Sequence, residues 1–253
     1  MNIIEKLAHQ GNFLFRWRSF LPLFFIIPGF FAISESVLIE EKYGDFLEEI
    51  WVYFSFIVSL CGLAIRWVSV GYVPAGTSGR NTKMQRANYL NTTGLYSVVK
   101  NPLYLGNFIA MLGVVMSLKV WWLVALGSLT YWIYIERVIV AEEKFLTTKF
   151  GQRYIEWAAR TPIFIPDFRL WRAPVMPFSF KTVLRREYNG LMAVCSAFFL
   201  MEVMVDVFVE REPVIYWLRE DWPWAIMMMT GSTLFFGLRF LKKNTRMLHV
   251  AGR

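Results

Sequence analysis

The sequence predicts an all-α, polytopic membrane protein of about six transmembrane helices. Three observations carry that prediction. The chain has 253 residues, of which 56% are hydrophobic and 18% aromatic, against about 45–50% apolar in soluble domains. Only 18% of residues are charged, yet the net charge is +8, so the cations must be gathered in particular loops. The apolar residues also fall in runs close to the roughly 20 residues needed to cross about 30 Å of hydrocarbon. This composition excludes a disordered chain, a coiled coil and a disulfide scaffold. Cys61 and Cys195 lie in apolar stretches and read as small buried residues rather than a redox pair or metal ligands.

Six runs qualify: 19–39, 47–71, 102–118, 120–141, 190–209 and 222–241. The first is too long, starts too late and lacks the small-residue site of a cleavable signal. The third meets the fourth at Ser117-Leu118-Lys119 and reads as a helical hairpin. Beyond the fourth, 141–159 is a further helical stretch, followed by a proline-containing run from Pro162 to Pro177. No internal repeat and no low-complexity tract stands out.

Charge tests the topology independently. Loop 40–49 carries Glu40, Glu41, Asp45, Glu48 and Glu49 against Lys42. Loop 210–221 carries Glu210, Glu212, Glu220 and Asp221 against Arg211 and Arg219. Cations dominate the alternate segments: Lys6, Arg16 and Arg18; Arg80, Lys83, Arg86 and Lys100; the run from Lys144 to Arg186; and Arg239 to Arg253. By the positive-inside rule both termini are cytoplasmic. Trp17, Trp51, Trp67, Trp121, Trp122, Trp222 and Trp224 fall near span ends, as interfacial aromatics do. The basic residues are spread over four loops at one membrane face, which anionic lipid explains and nucleic acid does not.

Two clusters stand out in the long cytoplasmic segments. The first runs from Gly94 to Asn107. Asn101 can cap a helix whose first residue is Pro102, and the positive end of that helix welcomes a carboxylate or phosphate. Tyr104 and Asn107 share a face. The second cluster is Glu136-Arg137, Glu142-Glu143, Leu146, Phe150-Gly151 and Tyr154. Arg66, at similar depth on the second span, is expected to join Glu136 and Arg137 in a polar nest, because ionisable residues at membrane depth are functional by default. Bland readings fit Met227-Met228-Met229 as packing filler. Gly76-Thr77-Ser78-Gly79 reads as a turn, lacking the rest of a P-loop. The pair Arg185-Arg186 reads as an anchor for the fifth span, and Glu35, Glu202 and Asp206 as outer headgroup contacts.

The pattern Gly94…Tyr96…Lys100-Asn101-Pro102-x-Tyr104-x-Gly106, then Arg137…Glu142-Glu143-x-x-Leu146-x-x-x-Phe150-Gly151-x-x-Tyr154 and Ile165-Pro166, resembles the isoprenylcysteine carboxyl methyltransferase family. That family belongs to a wider group of membrane methyltransferases that includes phospholipid methyltransferases. The resemblance covers roughly residues 60–168. It implies a division into N-terminal membrane helices (1–59), a methyltransferase core (60–168) and a C-terminal extension with two further spans (169–253). It also implies S-adenosylmethionine bound on the cytoplasmic side by Leu95, Tyr96, Lys100, Asn101, Pro102, Tyr104, Glu142 and Glu143. The chain departs from the family at three points. Lys100-Asn101 stands where the family has Arg-His, Asn88 stands for a usual histidine, and about 85 residues follow the Ile-Pro stretch.

The chemistry follows from the residues. Arg137, Glu142 and Arg66 are the expected catalytic groups. Arg66, Asn107, Arg137, Arg153 and Tyr154 are the expected substrate contacts. Histidine is nearly absent, with only His9 and His249. A neutral acceptor needs a positioned base, most often histidine, although glutamate such as Glu142 or a tyrosine can serve instead. An acceptor that is already anionic needs only cations to hold it. The sequence therefore points to O-methylation of a phosphate or carboxylate on a membrane lipid or lipid-anchored molecule, such as a lipid A-type phosphate or a prenylcysteine carboxylate. No metal is expected, and a bacterial inner membrane is favoured over the endoplasmic reticulum. The alternatives are N-methylation of a phospholipid amine and a non-enzymatic membrane scaffold or transporter. A transporter normally shows repeat symmetry and broken spans.

Overall fold

The computed structural model describes residues 2–17, 26–77, 87–211 and 213–253, and these fold into helices joined by loops. In chain order the helices are α1 (Ile3–Trp17), α2 (Ile26–Tyr43), α3 (Asp45–Gly71), α4 (Leu95–Val98), α5 (Pro102–Met116), α6 (Trp121–Phe150), α7 (Gln152–Arg160), α8 (Phe180–Glu202), α9 (Val214–Glu220) and α10 (Trp222–Asn244). A π-helical turn, Val203–Val209, prolongs α8.

Four of these helical stretches are long and apolar enough to cross a membrane: Phe46–Gly71, Trp121–Phe150, Phe180–Val209 and Trp222–Asn244. The expectation of six spans thus has this support for four. Pro102–Met116 is apolar but has only 15 residues, about 22 Å at 1.5 Å per residue. Of the expected first span, residues 19–25 lie outside the described residues, and α2 continues past residue 39 to Tyr43.

Small residues set a close contact between α3 and α5. α3 and α5 meet along Ser55, Ser59 and Gly62 on one side and Gly106, Ala110 and Gly113 on the other. A Cβ on Gly62 would overlap the Ala110 backbone, and one on Gly113 would overlap Ser55 and Ser59. Ser59 Oγ donates to the Ala110 carbonyl at 2.9 Å. In lipid no hydrophobic drive separates helices from acyl chains, so close backbone approach and buried hydrogen bonds hold the pair.

The α5–α6 hairpin forms as expected, with Lys119 turning at φ 62°. Lys119 Nζ pairs with Glu48 at 2.6 Å, and Trp122 Nε1 donates to Glu35 at 2.6 Å. These acids are therefore held by protein partners. The C-terminal helices pack on the same bundle: Phe198 is fully buried and stacks on Trp224 beside Val52, Leu63 and Trp217. Cys195 is buried against Gly231, as expected of a small packed residue. Cys61 is exposed on α3, contrary to its expected burial, because α3 turns its Gly62 and Leu63 side to the neighbouring helices.

Three element boundaries depart from the sequence reading. Residues 3–17 fall outside the six expected spans, yet they form α1, which lies along α6 with Gly11 against the Arg137 backbone. α6 does not stop at residue 141 but runs unbroken to Phe150, and the chain turns at Gly151 with φ 55°. Nothing between Ala141 and Phe150 breaks a helix, and glycine supplies the left-handed residue that ends it. α8 starts ten residues before the expected span. Ser179 Oγ accepts from the Thr182 N–H, a capping contact that fixes the start.

Candidate active site

The motif at Gly94 is shaped by backbone pairing to a distant strap. Gly94 takes φ 61° and donates to the Arg172 carbonyl at 2.9 Å. Lys100 N donates to the Pro162 carbonyl at 2.8 Å, and Asp167 N to the Val98 carbonyl at 2.9 Å. Residues 162–172 therefore lie along residues 94–100, which is where the Ile165-Pro166 stretch is used. Val98 and Val99 are fully covered. Pro102 opens α5 as expected. Asn101 sits at the cap position but does not cap with its side chain. Its Nδ2 donates instead to the Ile163 carbonyl of the strap at 3.2 Å.

The continuation of α6 carries Glu142 and Glu143 to this motif. Tyr104 donates its hydroxyl hydrogen to Glu142 Oε1 at 2.7 Å. Lys100 Nζ and Glu143 Oε1 are 3.0 Å apart. Tyr131 on α6 donates to the Tyr104 carbonyl at 2.7 Å, tying the two helices together below. Trp157 of α7 donates to the Tyr96 carbonyl at 3.1 Å, and Tyr154 is buried close to Glu143. Burial, reinforced by Glu142, pushes the Tyr96 hydroxyl far up from its ordinary pKa of 10.0. Burial also raises Tyr154, helped by the charges of Glu143 and Glu142. Both phenols stay protonated at neutral pH.

A second polar group lies where α3, α5 and α8 meet. Arg66 donates Nε to Glu187 Oε2 at 2.8 Å, forms an ion pair with it through Nη2 at 2.7 Å, and donates Nη1 to Asn107 Oδ1. Glu187 is 4% exposed. Its burial is tolerable because it is both paired and hydrogen-bonded. The expected nest of Arg66, Glu136 and Arg137 does not form. Arg137 faces α1, where Nε donates to Gln10 at 3.1 Å and Nη1 to the Ile133 carbonyl at 2.6 Å, and Glu136 is 3.8 Å away. The physical reason is rotational: Arg137 projects from the α1 side of α6, while Arg66 is caught between α5 and α8. Arg153 is exposed on α7, and Leu95 is half-buried at the start of α4.

The structure thus gathers Tyr96, Lys100, Pro102, Tyr104, Glu142, Glu143 and Tyr154 around one motif, with Arg66 and Asn107 in a neighbouring group. It directs Arg137 elsewhere. Sequence reasoning missed Glu187 and Gln10. The available signal for Glu187 was an acid following Arg185-Arg186 on an otherwise apolar helix, with Gly190 one turn on. In the structure Gly190 approaches Leu63.

Residues 53–153, from α3 to α7, match the model of the phospholipid methyltransferase family. This segment, which holds Gly94 to Gly106 and Arg137 to Gly151, is similar to that family of membrane methyltransferases. Among relatives, the chain is 34% identical over 85 residues to a protein-S-isoprenylcysteine O-methyltransferase of Schizosaccharomyces pombe, covering 34% of this chain and 36% of that one. It is 33% identical over 88 residues to a cobalt-zinc-cadmium resistance protein of Cupriavidus metallidurans, covering 35% and 40%. It is 28% identical over 127 residues to a nickel-cobalt-cadmium resistance protein of Alcaligenes xylosoxydans xylosoxydans, covering 50% and 57%. The chain therefore spans between 36% and 57% of the length of these relatives. No solved structure matches it significantly.

Proposed function

We propose that the chain is an S-adenosylmethionine-dependent membrane methyltransferase that O-methylates an anionic group, a phosphate or carboxylate, of a membrane lipid or lipid-anchored molecule. The observation that carries this reading is the array of Lys100–Glu143 and Tyr104–Glu142, which joins the two motifs at one end of the bundle. The residues fit the cofactor. Its amino-acid tail is a zwitterion, and Lys100 and Glu143 offer one partner for each of its charges. Tyr96, beside them, offers a ring face for a cation. When bound, the cofactor supplies a methyl carbon made electrophilic by its sulfonium.

The remaining work belongs to the protein. Glu142, held by Tyr104, is fixed in one orientation. Tyr96 and Tyr154 keep their protons, so neither serves as a base at neutral pH. That supports an acceptor with no proton to lose. Arg66 supplies the cation for such an acceptor, with Asn107 beside it; Arg137, turned to α1, takes no part in this arrangement. The N-terminal helices (1–59), core (60–168) and extension (169–253) then act as one membrane-embedded unit with its site on the cytoplasmic side. The isoprenylcysteine relative favours a carboxylate among the two acceptor types.

The names of two relatives raise metal handling as a second reading. Glu202, Asp206 and Asp221 bring carboxylate oxygens within 4.8 Å of one another. Carboxylates alone are hard donors suited to magnesium or calcium, whereas zinc and cadmium favour imidazole and thiolate. Site chemistry therefore favours methyl transfer.

The test is to give the purified protein labelled S-adenosylmethionine with total membrane lipid and, separately, a prenylated cysteine peptide. Label in an acidic lipid or in the peptide as a methyl ester is the expected result. Label in amine headgroups would transfer the assignment to N-methylation. No transfer together with no cofactor binding by calorimetry would leave a non-enzymatic membrane protein.

A further inference from the structure

We infer that Glu187, supplied by the C-terminal helix α8, is a positioning residue that orients Arg66 as an oxyanion fork, so that the extension beyond the family segment completes the acceptor site. This rests on the reading of Arg66 as an acceptor contact.

Glu187 lies outside residues 53–153. It reaches the core because α8 packs on α3, with Gly190 leaving room beside Leu63. Oε2 accepts from Nε of Arg66 and pairs with Nη2 at 2.7 Å, while Asn107 of α5 accepts from Nη1. Two of the five guanidinium N–H groups thereby donate hydrogen bonds, and Nη2 is drawn against the same carboxylate as an ion pair. One N–H on Nη1 and one on Nη2 have no partner among the described residues. The stem of Arg66 is confined as well, since its Cγ lies against Gly106. The head is therefore held by two other helices and retains two N–H groups able to engage two oxygens of one carboxylate or phosphate. At 18% side-chain exposure, Arg66 remains reachable. Without Glu187 the guanidinium would keep its charge but lose the contact that fixes its plane.

The experiment uses the full chain in non-ionic detergent, with dodecyl phosphate and dodecanoate as binding probes and S-adenosylmethionine as a control ligand. Glu187→Gln is expected to weaken binding of at least one probe about tenfold while leaving cofactor affinity unchanged. A double variant, Arg66→Met with Glu187→Met, removes both buried charges and separates positioning from folding. It is expected to melt near the wild-type temperature and still fail to bind the probe. Equal probe binding by wild type and Glu187→Gln, or no probe binding by wild type, would overturn the inference. So would recovery of probe binding in the double variant, which would make the ion pair merely structural. Loss of cofactor binding in the wild type would instead sink the methyltransferase reading, while the probe arm still reports on Glu187.

Discussion

Lys100, Tyr104, Glu142 and Glu143 show what single residues contribute. Two carboxylates adjacent on one helix face two different partners, a phenol and an ammonium. Hydrogen bonds to charged groups are worth roughly 1.5–3 kcal/mol. Tyr104→Phe is therefore expected to weaken S-adenosylmethionine binding by about tenfold, read by calorimetry, with the melting temperature little changed. Tyr154 gives a pH test. Its folded-state pKa is raised from 10.0 by burial and by Glu143, so its contribution to stability is complete below pH 10 and is lost as pH rises above it. Wild-type thermal stability is expected to fall more steeply above pH 10 than that of Tyr154→Phe. Equal slopes would show that the phenol is not held protonated. These residues were legible in the sequence because both motifs are local patterns of residue type and spacing. Glu187 was not, because its meaning depends on a partner 121 positions away.

At the scale of elements, the α3–α5 seam decides where Arg66 stands. Gly106 lies against the Arg66 stem and the Gly62 carbonyl. Gly106→Val would overpack that contact, costing roughly 1–3 kcal/mol or more. The expected outcome is a lower melting temperature in detergent together with loss of acceptor-probe binding. Gly237 on α10 is the contrast, since a Cβ there meets nothing within 4 Å. Gly237→Ala is expected to stabilise the helix by about 0.5–1 kcal/mol, seen as a raised melting temperature. α6 illustrates what hydropathy misses. Charges at Glu142 and Glu143 mark where a span leaves the hydrocarbon, but they do not end a helix. Only Gly151 does, and that continuation presents both acids to the motif.

For the whole molecule, the alternation of basic and acidic loops along the sequence predicts an orientation with both termini cytoplasmic. A membrane-impermeant maleimide applied to sealed membrane vesicles of known sidedness checks it. Arg172→Cys is expected to react only when the cytoplasmic face is accessible, and Glu220→Cys only from the opposite face; reversal of that pattern would invert the topology. The extension is part of the fold rather than an appendage, since Phe198 and Trp224 share a core with Val52 and Leu63 of α3.

The sequence by itself determined the helical membrane class, the alternation of loop charge and the two motifs. All three are written in composition, in run length against bilayer thickness, and in short-range spacing. Tertiary structure alone decided that Arg137 turns to α1 and Arg66 to α8, that Asn101 serves the strap rather than the helix cap, and that a C-terminal acid enters the site. Those outcomes depend on which face of each helix meets which neighbour. Once packing is set by glycine seams and buried ion pairs, that rotation is fixed by the contacts between helices and not by the order of residues along any one of them.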